Sequence, residues 1–487
     1  MPQLLSKSRY LNGLQCPRLL WIATNHPERI PEPDATTQHI FDQGHRIGEL
    51  AKKLYPEGID LPHENFMGNI SMAKKLLLQR TPLFEAGVLS GHIYSRVDIL
   101  NPVNENKWDI IEVKSATSVK EVNFHDVAFQ RLCWEDGGQK IRKCFLGHIN
   151  NQYVKNGEID PKELFVIEDI SDEVAAASEG IRDRITQMLE VIGMPACPEV
   201  TIGPHCSDPY GCPLAECWDG LPAHNVFTLY YGGERSYELY RGGVLDIAKI
   251  PSSYRLNDRQ RIQRACVVSG KPYVDKDALR GFLAGLEYPL YFLDFETFGT
   301  AIPMFDGTSP YQNTPFQFSL HIQETPGREP RHSGFLAKGR EDPRPELLAS
   351  LSRLIGHTGS VIAYNKPFEE GVLEDLGNAF PEYAGWTANV VSRLVDLILP
   401  FRNFYYYHPL QKGSASLKAV LPAITGKGYD DLDISDGQAA STAFLAAAYG
   451  GMPEEERANV MSNLEEYCGR DTEGMIWIVD KFRELCV

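Results

Sequence analysis

The chain has 487 residues, 43% hydrophobic and 23% charged, with a formal net charge of −17. Two or three domains are expected at that length, and the composition is that of a folded rather than a disordered protein. The acidic balance argues against tight nonspecific coating of duplex DNA, and no stretch reaches the length of a membrane span. No basic-then-apolar leader is read at the N-terminus, so the expected location is the cytoplasm, with no membrane partner.

In chain order, the first notable phrase is Leu11-Asn12-Gly13-Leu14-Gln15-Cys16-Pro17-Arg18. Ten cysteines in a reducing compartment point to metal ligands or free thiols rather than disulfides. Residues 91–100 then read as a strand, 101–107 as a polar turn and 108–114 as a second strand. At period two, Glu112 and Lys114 share one face, and a hairpin brings Asp98 beside them. Two acids and a lysine at one spot suit a hydrolytic centre. The carboxylates hold Mg²⁺ or Mn²⁺, while the lysine positions water and steadies developing negative charge.

This hairpin resembles the PD-(D/E)XK nuclease fold, in its RecB-like branch. The resemblance implies that Gln130, in Asp126-Val127-Ala128-Phe129-Gln130, is the motif glutamine of the following helix, with Trp134 in the place of the branch's tyrosine. It also implies a metal ligand on the first helices. Within Gly44–Glu49 that ligand is Glu49, with His45 as the alternative, and Gly48 stands where the family has its histidine.

Cys206, Cys212 and Cys217 form a tight trio, and Cys16 completes a four-thiolate set, with Cys197 as a stand-in. Some RecB-like nucleases are similar, holding a [4Fe–4S] cluster with one cysteine before the nuclease core and three after it. The resemblance implies such a cluster here, acting as a staple around the hairpin, although four thiolates also satisfy Zn²⁺. The spacing of five then four intervening residues differs from the family's commoner two then five. Cys133, Cys144, Cys266, Cys468 and Cys486 read as ordinary core cysteines.

Residues 223–285 read as a helical linker. Leu239–Pro251 resembles half of a helix-hairpin-helix, whose glycine turn offers backbone amides to phosphate, and Arg255, Arg259, Arg261 and Arg264 follow on a helix. A plain helical spacer with a solvated charged face fits equally well.

From residue 286 onward the acids recur. Leu290–Glu296 is an apolar run that reads as a buried strand, with Asp294 and Glu296 on one side of it. Two buried acids do not both stay ionised without a cation between them. The segment from Pro453 to Leu485 reads as a helix, with proline at its first position and three glutamates at its positive end. Its apolar stripe of Val460, Leu464, Cys468, Met475, Ile478 and Phe482 also contains Asp471, with Tyr467 one turn earlier.

These motifs resemble the DnaQ-like 3′→5′ exonucleases of the DEDDy type. Asp294-x-Glu296 matches the first motif and Tyr467-x-x-x-Asp471 the last, and the tyrosine is implied to orient the attacking water. The middle motif falls on Asn365-Lys366-Pro367-Phe368-Glu369, where glutamate replaces aspartate; Asp396 is the substitute third acid. Two divalent ions roughly 3.5–4 Å apart would stabilise the attacking and leaving oxygens of an in-line cleavage. The whole chain then resembles bacterial fusion proteins of α/β class. A RecB-like core with its cysteine cluster (1–222) precedes the linker and an RNase H-like, DnaQ-like domain (286–487). The implied activity is a two-site, metal-dependent nuclease acting on single-stranded or end-containing DNA, in repair or defence. The alternative is one DnaQ-like exonuclease, on DNA or RNA, with the front half serving as a nucleic-acid-binding module. Nothing in the residues speaks to oligomeric state.

Overall fold

The computed structural model describes residues 4–62, 65–104 and 106–487. They divide into two compact units of mixed α/β structure, residues 1–219 with 300–311, and residues 220–299 with 312–487. Among the described residues no helix is long and apolar enough to cross a membrane.

The first unit is built on a seven-stranded mixed sheet. Strands Ile93–Val103 and Lys107–Val113 pair antiparallel, with Ile99 opposite Ile111 and Leu100 opposite Ile110. The helix Glu121–Asp136 then crosses over to strand Lys140–Ile149, which pairs parallel to Lys107–Val113. Trp108 and Ile110 share one core with Val127, Ala128 and Phe129 of that helix. Ile111 faces the opposite core, with Ile47, Leu50 and Ala51 of the helix Ala35–Lys52. Strict alternation carries Glu112 to the same side as Trp108 and Ile110. Trp134, which stands in the place of the branch's tyrosine, lies deep in that hydrophobic core.

Residues 300–311 belong to this first unit. Ala301 joins the core of the helix Ala35–Lys52, and its N–H donates to Gln43 Oε1 at 2.9 Å. Lys155 N donates to Thr308 O, and Gly307 N to Lys155 O.

In the second unit a five-stranded sheet runs in the order Arg331–Leu336, Thr314–Gln323, Leu290–Phe298, Val361–Ala363, Leu394–Asp396. Tyr291, Leu293 and Phe295 bury one face of the central strand against the helices Arg344–Leu354, Lys366–Ala379 and Ala384–Ser392. The other face is met by the helices Gly437–Tyr449 and Glu454–Cys486, where Phe298 stacks on Phe444 at 5.7 Å. Residues 223–285, expected as a separate linker, fold into this unit. Strand Tyr273–Val274 pairs with Tyr406–Tyr407, and Tyr230, Cys266, Phe404 and Tyr407 form one cluster. The basic helix Asp258–Ser269 uses two of its arginines internally. Arg261 binds the carbonyl of Leu256, and Arg259 binds Asn403 Oδ1.

Candidate active sites

Period-two alternation in the strand Leu290–Phe298 sends Asp294 and Glu296 to the face covered by the helix Glu454–Cys486. That helix presents Tyr467, Cys468 and Asp471, all buried. Glu369 arrives from the first turn of the helix Lys366–Ala379 and is also buried. The four carboxylates line one pocket of about 510 Å³ together with Tyr364, Tyr467 and Lys418. Asp396, the alternative third acid, does not line it. Its carboxylate accepts from the backbone N–H groups of Ile398 and Lys366 at the end of its strand.

Charge is badly balanced in this pocket. Burial, then repulsion from Asp471, pushes the Asp294 carboxyl well above its ordinary range. Burial and the neighbouring acids do the same to Glu296 and Glu369. Burial lifts Asp471 to about 6, a rise checked by a hydrogen bond from the Tyr429 hydroxyl. Lys418 is the nearby cation, and its Nζ lies 5.4 Å from the centre of the Tyr467 ring. Glu369 Oε2 is buried with no hydrogen-bond partner. Four acids with an orphaned carboxylate oxygen suit hard, oxygen-seeking divalent cations. Oxygens of Asp294 and Glu296 and the Cys468 sulfur all lie within 4.8 Å of one another. Cys468, read from the sequence as a core thiol, sits 3.4 Å from Asp294 Oδ2 and donates to it. Lys418 and Tyr429 were not singled out from the sequence; their roles depend on contacts at long chain separation that no local pattern encodes.

In the first unit the hairpin does gather Asp98, Glu112 and Lys114, and the crossover helix adds Gln130. Asp98 Oδ2 accepts from Val113 N at 2.7 Å. Glu112 accepts from Lys114 Nζ at 2.6 Å and from Gln130 Nε2 at 2.7 Å. Two further groups complete the cluster. Lys7 Nζ reaches Glu112 at 2.8 Å, and Asp126 accepts from Lys114 at 2.8 Å and from Gln130 at 2.8 Å. Asp126 and Gln130 stand four apart on one helix face, which is the signal that could have found Asp126. Burial works against the charge on Glu112, but Lys114 and Lys7 outweigh it and hold the carboxyl far below its usual range. Asp98 is half-buried, and desolvation followed by repulsion from Glu112 lifts it to about 7. Three acids thus face two lysines, a far smaller charge deficit than in the second unit. Glu49 is not brought to this cluster. Its side chain is 66% exposed and pairs with Lys52, and His45 on the same helix is exposed as well.

The cysteines converge within the first unit. Cys16, at the junction of the helices Lys7–Gln15 and Pro17–Asn25, shares an apolar cluster with Leu19, Trp21 and Leu214. Cys197, Cys212 and Cys217 pack against that cluster. Cys212 N donates to Cys206 O at 2.9 Å, and Gln15 Nε2 clasps the loop through the carbonyls of His205 and Tyr210. All five are free thiols. Their sulfurs do not form a set in which every pair lies within 4.8 Å, the spacing reached at Asp294, Glu296 and Cys468.

Residues 291–416 match the family described as Domain of unknown function (DUF2779). The match takes in Asp294, Glu296 and Glu369 and stops before Lys418, Tyr467 and Asp471. The chain is also similar to an "Uncharacterized protein MG366 homolog" from Mycoplasma pneumoniae, 26% identical over 213 residues. That similarity covers 39% of this chain and 32% of the relative, so the chain spans about a third of the relative's length.

Proposed function

We propose that the protein is a metal-dependent nuclease whose principal active site is the four-carboxylate pocket of the second unit. The observation that carries this reading is the gathering of half-buried Asp294 with buried Glu296, Glu369 and Asp471 around one 510 Å³ pocket, with Lys418 as the neighbouring cation. Such an excess of buried negative charge is tolerated in an ionised form only when divalent cations share it. Asp294, Glu296, Asp471 and Glu369 would hold Mg²⁺ or Mn²⁺, which when bound supplies Lewis-acid activation of a phosphodiester and of the attacking water. Tyr467, one helical turn from Asp471, orients that water, and Lys418 steadies negative charge on the phosphate. The arrangement fits a DnaQ-like exonuclease acting from 3′ ends.

The cluster of Asp98, Glu112, Asp126, Lys114 and Lys7 is proposed as a second, RecB-like centre on the same chain. Lys114 positions water there, and Gln130 fixes the Glu112 carboxylate. A second reading has its own support. Because Lys7 and Lys114 already neutralise much of this cluster, it demands a cation less, and the first unit would then serve as a nucleic-acid-binding module. For the cysteine set, with one thiolate before the hairpin and three after it, a [4Fe–4S] cluster held by Cys16, Cys206, Cys212 and Cys217 is preferred over zinc.

The test is end-labelled digestion with Mn²⁺ of matched single-stranded DNA, duplex DNA and RNA by the full chain. Asp294→Asn with Glu296→Gln removes 3′ trimming by on the order of 10³-fold or more. Glu112→Gln with Lys114→Ala removes a separate activity if both centres work, and changes only binding if one does. Undiminished digestion by the quadruple variant refutes the nuclease reading altogether.

A further inference from the structure

Beside the carboxylate pocket, in the same unit, lies a second chamber of about 420 Å³. The two share Tyr364, Asn365, Ser416 and Leu417 in their walls, so they adjoin. Part of its wall, Tyr230 and Tyr231, comes from the segment read from the sequence as a helical linker. Tyr231 stands there 79% exposed, edge-on to buried Tyr230 with ring centres 4.6 Å apart. A bulky aromatic this open to water loses apolar burial, and its backbone sits in the left-handed region at φ +45°.

The surroundings hold it there. Buried Gln263 accepts from Tyr230 N at 2.7 Å, and buried Gln260 donates to Tyr230 O at 3.0 Å, so the residue before Tyr231 is clamped at both backbone groups. Behind it, a Cβ on Gly232 would come within 2.1 Å of Ser236 Oγ. On the other side, Gly413 at φ +78° lets its loop approach Thr228 O so closely that a Cβ would lie 2.1 Å from it. Strain maintained by buried hydrogen bonds and close backbone approach is the pattern of a prearranged binding surface. Arg402 lines the same chamber, and among the described residues no hydrogen bond or ion pair occupies its guanidinium.

We infer that this chamber seats the nucleotide next to the scissile one, its base stacked on Tyr231 and its phosphate met by Arg402. The inference rests on the proposed nuclease reading and specifies its substrate as an unpaired strand. An open aromatic face stacks any base that is not already paired, and a chamber this small admits one nucleotide but not a duplex. The guanidinium, near enough to Asp396 to feel its charge but hydrogen-bonded to no described side chain, can supply a bidentate phosphate contact to such a strand.

Fluorescence anisotropy of the full chain in EDTA reads binding apart from hydrolysis. The probes are labelled oligo-dT and oligo-rU of twelve residues and a blunt DNA hairpin. Tyr231→Ala should weaken oligo-dT about tenfold or more, and Tyr231→Phe should retain binding. Arg402→Ala should lower the slope of log K against log salt by about 0.7. Equal response of oligo-rU would extend the inference to RNA. Wild-type affinity and salt slope in both alanine variants would overturn it, as would equal loss in Tyr231→Ala and Tyr231→Phe. Strands that bind through Tyr231 and are never cut would sink the nuclease reading while upholding the chamber. Strands that are cut with no dependence on Tyr231 or Arg402 would do the reverse.

Discussion

Removing one of the charges around Asp294 should help the metal-free protein. Asp294, Glu296, Glu369 and Asp471 repel one another where water screens them poorly. Asp294→Asn should therefore raise the thermal midpoint of the metal-free chain by about 2–4 °C for each kcal/mol of relieved repulsion. The same variant should lose the stabilisation expected of Mn²⁺ in the native chain on the proposed reading, about 2.7 kcal/mol at a hundredfold excess over its dissociation constant. Paired thermal scans with and without Mn²⁺ read both effects. A second prediction concerns His321, which lies against His332 and hydrogen-bonds Thr472 at 2.8 Å. Burial, reinforced by His332, depresses its pKa to about 4. The fold thus favours neutral imidazole, so its contribution to stability is complete above the unfolded value near 6.5. It is lost progressively as pH falls toward 4. Urea midpoints measured across that range should drop more steeply for the native chain than for His321→Gln.

At the level of elements, the turn before strand Val361–Ala363 gives a sharper stability test. Gly359 adopts φ +89°, and a Cβ there would stand 2.1 Å from Pro289 O. Gly359→Ala should cost about 2–4 kcal/mol, seen as a lower urea midpoint at unchanged slope. Elements with a strong internal period were readable in advance. Strand Leu290–Phe298 announced itself by a hydrophobic run with two acids in phase, and the helix Glu454–Cys486 by its stripe and its proline-glutamate start. The hairpin carrying Asp98 and Glu112 was readable for the same reason. What escaped was long-range pairing. Lys7 meets Glu112 across 105 positions and Tyr429 meets Asp471 across 42, and no local pattern specifies either contact. Glu49 went astray differently. On an amphipathic helix its position faces water, and the Lys52 ammonium three residues on holds it there. The linker was misjudged because its anchoring cluster of Tyr230, Cys266, Phe404 and Tyr407 draws on residues far apart in the chain.

At the scale of the whole molecule, the cysteine cluster predicts a measurable metal content. Anaerobically purified protein should carry about four irons and absorb in the visible. Cys16→Ser should lose that colour and lower the melting point, since Cys16 tethers the amino-terminal helices to the 197–217 loop. Iron assay with the absorption spectrum checks the first expectation and calorimetry the second. The path of residues 300–311 has an equally concrete consequence. The sheet strand that bears Asp294 and Glu296 ends at Phe298, and the polypeptide then spends twelve residues completing the other unit before returning at Gln312. Neither half is a contiguous stretch. During synthesis the amino-terminal half stays unfinished until the ribosome has passed position 311. A gene truncated near codon 222 would make a fragment that lacks Ala301 and the Thr308 carbonyl, leaving apolar surface bare and prone to clump. Testing the two proposed centres apart therefore calls for point substitutions in an intact polypeptide, not for scissors.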